Sequence, residues 1–107
     1  MARSRQVFYG TSGIMHGLRG TMSPQQSRAA RAWLGWSQVE LAKRAGVSLS
    51  TVQDFERGQR TPIANNIAAM RRVIEAAGMQ LLFDKNGAAA GIIRKDADPD
   101  LSRNARP

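Results

Sequence analysis

The chain has 107 residues, enough for one domain with a modest core and too few for two. It has no cysteine, and His16 is its one histidine; disulfides and thiolate metal sites are excluded, a reducing cytosol fits, and zinc or nucleophilic catalysis has little to work with. Sixteen Lys and Arg against eight Asp and Glu give a net charge of +8, and thirteen of the sixteen are Arg, whose planar fork suits phosphate oxygens and guanine edges.

That balance suits a polyanionic partner, with a merely solvated basic surface as the alternative. No paired carboxylates or His-based constellation stand at usable spacing, so no catalytic residues, metal ligands or cofactors are expected. No apolar run approaches the roughly 18 residues of a membrane span, and the N-terminus lacks the apolar core of a signal peptide.

Residues 1–22 hold Arg3, Arg5 and Arg19 among small polar residues without a period, and are expected to form a flexible basic arm. Met22-Ser23-Pro24 reads as a plausible native start. Residues 23–78 are helical and regularly punctuated. Ser23, Pro24 and Gln26 supply an N-cap, a proline in the first turn and a capping box for helix 1, which runs to about Leu34 and stops at Gly35. Ser37 to Glu40 is a second S-x-x-E box and opens a short helix 2 ending near Ala45. Gly46 suits a left-handed turn. Ser48 caps helix 3, which ends near Arg57 with Gly58 just past it. Thr61-Pro62 is expected to open helix 4, with Ile63, Ile67, Met70, Val73, Ile74 and Ala77 at helical spacing before Gly78.

Past Gly78 the pattern changes. Met79–Phe83 and Gly91–Arg94 are short apolar runs around Asn86-Gly87, the dipeptide that most favours a tight hairpin. A two-residue turn there sets Phe83 opposite Ala90 and Leu81 opposite Ile92. Residues 79–95 are therefore read as a β-hairpin, and the acidic stretch 96–107 as a disordered tail.

The informative stretch is Ser37 to Gly58. Two helices of seven to ten residues joined by a glycine-containing turn pack steeply and free one face of the second for the DNA major groove. Val39, Leu41, Ala42, Ala45, Val47, Val52 and Phe55 are the positions expected to hold this unit together. Small residues at Ala42 and Gly46 suit close helix contact.

These residues resemble the Cro and cI type of phage-repressor helix-turn-helix, also called the Xre type. The likeness runs from Ser23 to Ala77. It rests on Leu34-Gly35-Trp36-Ser37-Gln38, Glu40-Leu41-Ala42, Ala45-Gly46-Val47-Ser48, Glu56-Arg57-Gly58 and Arg60-Thr61-Pro62, taken together at these intervals.

The resemblance implies a mainly α, phage-repressor-like four-helix domain followed by the hairpin, and a cytoplasmic, nucleoid-associated protein of bacterial or phage origin. It implies that Gln38 bonds a DNA phosphate at the start of helix 2. Base-reading positions would be Ser48, Leu49, Ser50, Thr51 and Asp54, with Gln53 beside them. Arg57, Gln59 and Arg60 would grip the backbone. Arg31 would pair with Glu56 and brace helix 1 against helix 3. Well-known members often carry Gln or Arg where this chain has Leu49, short hydroxyls and Asp54. Leu49 suits thymine methyls, and Asp54 suits cytosine N4 but repels a misplaced phosphate.

The expected function is sequence-specific binding of double-stranded DNA by a transcriptional regulator, a repressor at a palindromic operator. A lone hairpin is marginal in water, so its apolar residues need a partner. That partner is either helix 4 or a second subunit, and short regulators with a strand pair after helix 4 favour a homodimer. Two alternatives stay open: the antitoxin of a toxin–antitoxin pair, with hairpin or tails as the protein-binding surface, or an anti-activator that has lost DNA binding. Trp33 and Trp36 are expected to pack around helices 1 and 4, and Arg71 and Arg72 to face solvent.

Overall fold

The computed structural model describes residues 20–98. Four helices are followed by a two-stranded antiparallel hairpin: α1 Pro24–Leu34, α2 Gln38–Ala45, α3 Leu49–Arg57, α4 Ala64–Ala76, β1 Met79–Phe83 and β2 Ala89–Arg94. Arg3, Arg5 and His16 lie outside the described residues, as does the expected tail from residue 99 onward.

The first three helices start on a serine side chain and stop on a left-handed glycine. Ser23, Ser37 and Ser48 accept from the backbone N–H three residues on, and Gly35, Gly46 and Gly58 have φ near 70°. At Gly46 the requirement is conformational, because a Cβ there would meet nothing within 4 Å. The box at Ser23 is complete, with the Gln26 amide oxygen accepting from Ser23 N–H. At Ser37 only half of it forms, because the Glu40 carboxylate turns to Arg44 one turn later.

Helix α4 starts later than Thr61-Pro62 suggested. Ile63 is its N-cap, in extended backbone with an exposed side chain, and only its carbonyl engages the helix, accepting from Asn66 and Ile67 N–H. Pro62 restrains Thr61 from helical backbone but does not oblige the helix to begin at its own position.

The core is Ala30 of α1, Leu41 and Ala42 of α2, Val52 and Phe55 of α3, Ile67, Met70 and Ile74 of α4, Met79 and Leu81 of β1, and Met22. Ala45, Val47 and Val73 pack against it, half-buried. Val39, expected among the packing residues, is exposed, since two residues of helix carry it about 200° round from Leu41. Ala77 is exposed too, because α4 has already ended.

Met22, expected in the arm, is 2 % exposed. Next to it, Gly20 N–H donates to the Gly87 carbonyl and the Gly20 carbonyl accepts from Arg71. Arg71 is thereby turned from the solvent face it was expected to occupy. It also pairs with Glu75 and stacks over the Phe83 ring, 5.1 Å from its centroid, whereas Arg72 is exposed.

The hairpin belongs to the same core. Met79 and Leu81 point inward, Ile92 packs beside them, and Gln26 Nε2 donates to the carbonyls of Leu82 and Gly91, tying both strands to the start of α1. The turn is one residue longer than expected: Lys85-Asn86-Gly87 connects Asp84 to Ala88. The Asp84 carboxylate accepts from Asn86 and Ala88 N–H, which organises the longer loop. Phe83 consequently faces Ala89 instead of Ala90. An irregularity next to it restores the register, so Leu81 does face Ile92.

Trp36 is half-buried against the core, with the Arg44 guanidinium 4.4 Å from its ring centroid. Trp33 does not pack as expected and is 63 % exposed. It lines an open hollow of about 330 Å³ with Leu34, Ala77, Met79, Arg94 and Lys95, at the base of the hairpin where α4 has run out.

Candidate nucleic-acid interface

Helix α3 has two chemically distinct faces. Val52, Phe55 and Glu56 are buried, while Ser50, Gln53, Asp54 and Arg57 fall at i, i+3, i+4 and i+7 on the opposite side. Ser50 and Arg57 are exposed, and Gln53 and Asp54 are half-exposed. Leu49 opens the helix at the edge of this stripe, 37 % exposed. Ser48 and Thr51 do other work. Their hydroxyls are bonded to each other at 2.8 Å, and Ser48 also caps the helix and contacts the Ser50 hydroxyl. Gln59 and Arg60 follow in an exposed turn, with their N–H groups on the Asp54 carbonyl.

The buried face is fixed by a polar network centred on Glu56, which is 2 % exposed. Arg31 of α1 grips its carboxylate through Nε and Nη2, the latter 2.7 Å from Oε1, and donates through Nη1 to the Trp36 carbonyl. Ser27 Oγ donates to Oε2, and Arg28 donates to the Glu56 backbone carbonyl. Gln38 Nε2 donates to Oε1 at 3.1 Å. One carboxylate thus joins α1, α2 and α3. Burial pushes the Glu56 carboxyl up, but the hydrogen bonds from Arg31, Ser27 and Gln38 and the Arg31 charge outweigh it and hold the group below its usual range.

Gln38 therefore points inward. One amide proton is spent on Glu56, which leaves its second amide proton and the open backbone N–H groups of the first turn of α2 for an outside acceptor. Ser27 and Arg28 were missed in the sequence. The available signal was spacing, since Ser27 stands one turn before Arg31 on the same face of α1.

Residues 28–77, just under half of the chain, match the helix-turn-helix family, in its Xre or Cro and cI type. No curated protein matches the chain. The matched segment spans the α2–Gly46–α3 unit, α4, and α1 from Arg28 onward. By that match the segment is similar to DNA-binding helix-turn-helix domains. In helix-turn-helix domains the second helix of the unit is the one that meets a groove, and α3 is the second helix of this unit. The family is one of DNA-binding regulators and not typically of enzymes. Among the described residues no helix is long and apolar enough to cross a membrane, and no cluster of His, Cys, Asp and Glu has metal-binding geometry.

Proposed function

We propose that the chain binds double-stranded DNA sequence-specifically through α3 and regulates transcription, as a repressor acting at a palindromic operator. The observation behind this reading is the division of α3: one face is immobilised by Glu56 and the core, and the other offers Ser50, Gln53, Asp54 and Arg57 outward. A reading helix has to be held rigidly for its side chains to discriminate bases.

Ser50 and Gln53 supply donors and acceptors for base edges, Leu49 an apolar contact for a thymine methyl, and Asp54 an acceptor for an exocyclic amine. Arg57, Arg60 and the start of α2 with Gln38 supply phosphate contacts that set register and give the salt-sensitive part of affinity. A domain seated on promoter DNA represses by occupancy. A homodimer would place two copies of α3 about one helical turn apart, ~34 Å. Exposed Leu82 and half-buried Ile93 on the outer side of the hairpin support that arrangement.

A second reading, an antitoxin or anti-activator with a protein partner, draws on the exposed Trp33 and its hollow. A stoichiometric partner that co-purifies with the wild type and is lost on Trp33→Ala supports it.

The test is a fluorescence-anisotropy titration against DNA from upstream of its own gene and against scrambled DNA, at two salt concentrations. Binding tighter than the control by about 10³ or more at physiological salt is the expected result. Equal, weak binding to both that vanishes as salt rises would leave only charge at work and overturn the reading.

A further inference from the structure

Asp54 and Arg57 stand one turn apart on the outward stripe of α3, and Arg57 Nη2 donates to Asp54 Oδ1 at 2.9 Å. Arg57 is the only cation within α3, and Asp54 is the only acid on its outward side, since Glu56 points inward. The Asp54 carbonyl accepts in addition from the N–H groups of Gly58, Gln59 and Arg60, so the turn that carries Arg60 hangs from the same residue. An acid at the centre of a surface offered to a polyanion is costly unless something compensates it.

An exposed pair of this kind is weak, so it opens whenever a better arrangement exists. On arbitrary DNA no better arrangement exists. Moving Arg57 to a phosphate gains one ion contact but leaves the Asp54 carboxylate unpaired against the backbone charge. Where a cytosine N4 or adenine N6 amine stands opposite Asp54, the carboxylate has a new donor and Arg57 is released to the phosphate.

We infer that Asp54 is a specificity-determining positioning residue: it keeps Arg57 off the phosphates of arbitrary DNA and releases it only where a base amine faces the carboxylate. The inference rests on the proposed DNA-reading role of α3. It makes the acid in a basic protein a device for lowering non-specific affinity, which for most regulators comes almost wholly from phosphate contacts.

The experiment measures binding of the full chain to a short random-sequence duplex across a salt series, for the wild type and for Asp54→Asn, Arg57→Gln and the double variant. Asp54→Asn should bind the random duplex about fivefold tighter at low salt. Its log–log salt slope should steepen by about 0.9, the signature of one added phosphate contact. In the Arg57→Gln background, Asp54→Asn should lose the extra slope. A merely structural role for Asp54 would not move the slope, and Asp54→Ser gives the same readout if the amide variant is impaired. An unchanged affinity and slope in both Asp54 variants overturns the inference while leaving DNA binding intact, as does an equal gain with Arg57 absent. A wild type that binds no duplex even at low salt sinks the DNA-reading role, and this inference with it.

Discussion

The inner and outer faces of α3 carry similar chemistry, an acid with an arginine, and use it in opposite ways. Inside, Glu56 is buried and saturated with donors from three other side chains, so the Arg31 pair cannot open without stranding a charge in the core. Outside, the Asp54–Arg57 pair is wet, with Arg57 57 % exposed, and exchanges partners at little cost. Burial, and not the pairing itself, decides whether a charge pair locks a helix or tunes what the helix recognises.

The largest expected effect comes from breaking the inner face. Arg31→Ala leaves the Glu56 carboxylate buried and short of its main partner, and should cost about 3 kcal/mol in denaturant unfolding. Acid probes the same group more gently. Because the folded carboxyl lies below its ordinary value of 4.5, the stability it contributes is fully present above that value and drains away as pH falls through the folded pKa. Unfolding midpoints followed through pH 5 to 3 should decline for the wild type, and less steeply for Glu56→Gln.

Next in size is the turn that aims α3. Gly46→Ala meets no steric obstacle but forces a Cβ into left-handed backbone at φ 70°, and should cost about 1–2 kcal/mol by thermal melting. Smallest is the outer face: Ser50→Ala and Gln53→Ala should each change stability by no more than about 0.5 kcal/mol. A large loss of stability there would erase the division between the two faces.

Much of this fold was legible because each of the first three helices carries its own start and stop. A serine cap and a following glycine are local signals, and local signals survive without knowledge of the tertiary contacts. What was illegible depended on distant partners. Met22 has no periodic neighbours, and only its burial in the folded core marks it as a core residue. Gln26 reads as half of a capping box, and nothing local says that its amide also clamps two strands. The three-residue turn is set by the Asp84 carboxylate, which outweighed the Asn86-Gly87 signal.

At the candidate interface, Ser50, Gln53, Asp54 and Arg57 were singled out through the resemblance to the Xre type, and the packed helix places them on one stripe. The inward turn of Gln38 was not readable, because it follows from where Glu56 comes to rest when α3 packs against α1 and α2.

If α3 separates holding from reading, removing its reading side chains must leave the fold untouched. Ser50→Ala/Gln53→Ala should be made in a single chain, with its thermal unfolding measured beside its binding to the duplex the wild type prefers and to a scrambled control. The account predicts an unchanged melting midpoint, unchanged affinity for the scrambled duplex, and loss of at least about tenfold in preference for the selected one. Preference retained in full by a variant that folds normally would contradict it.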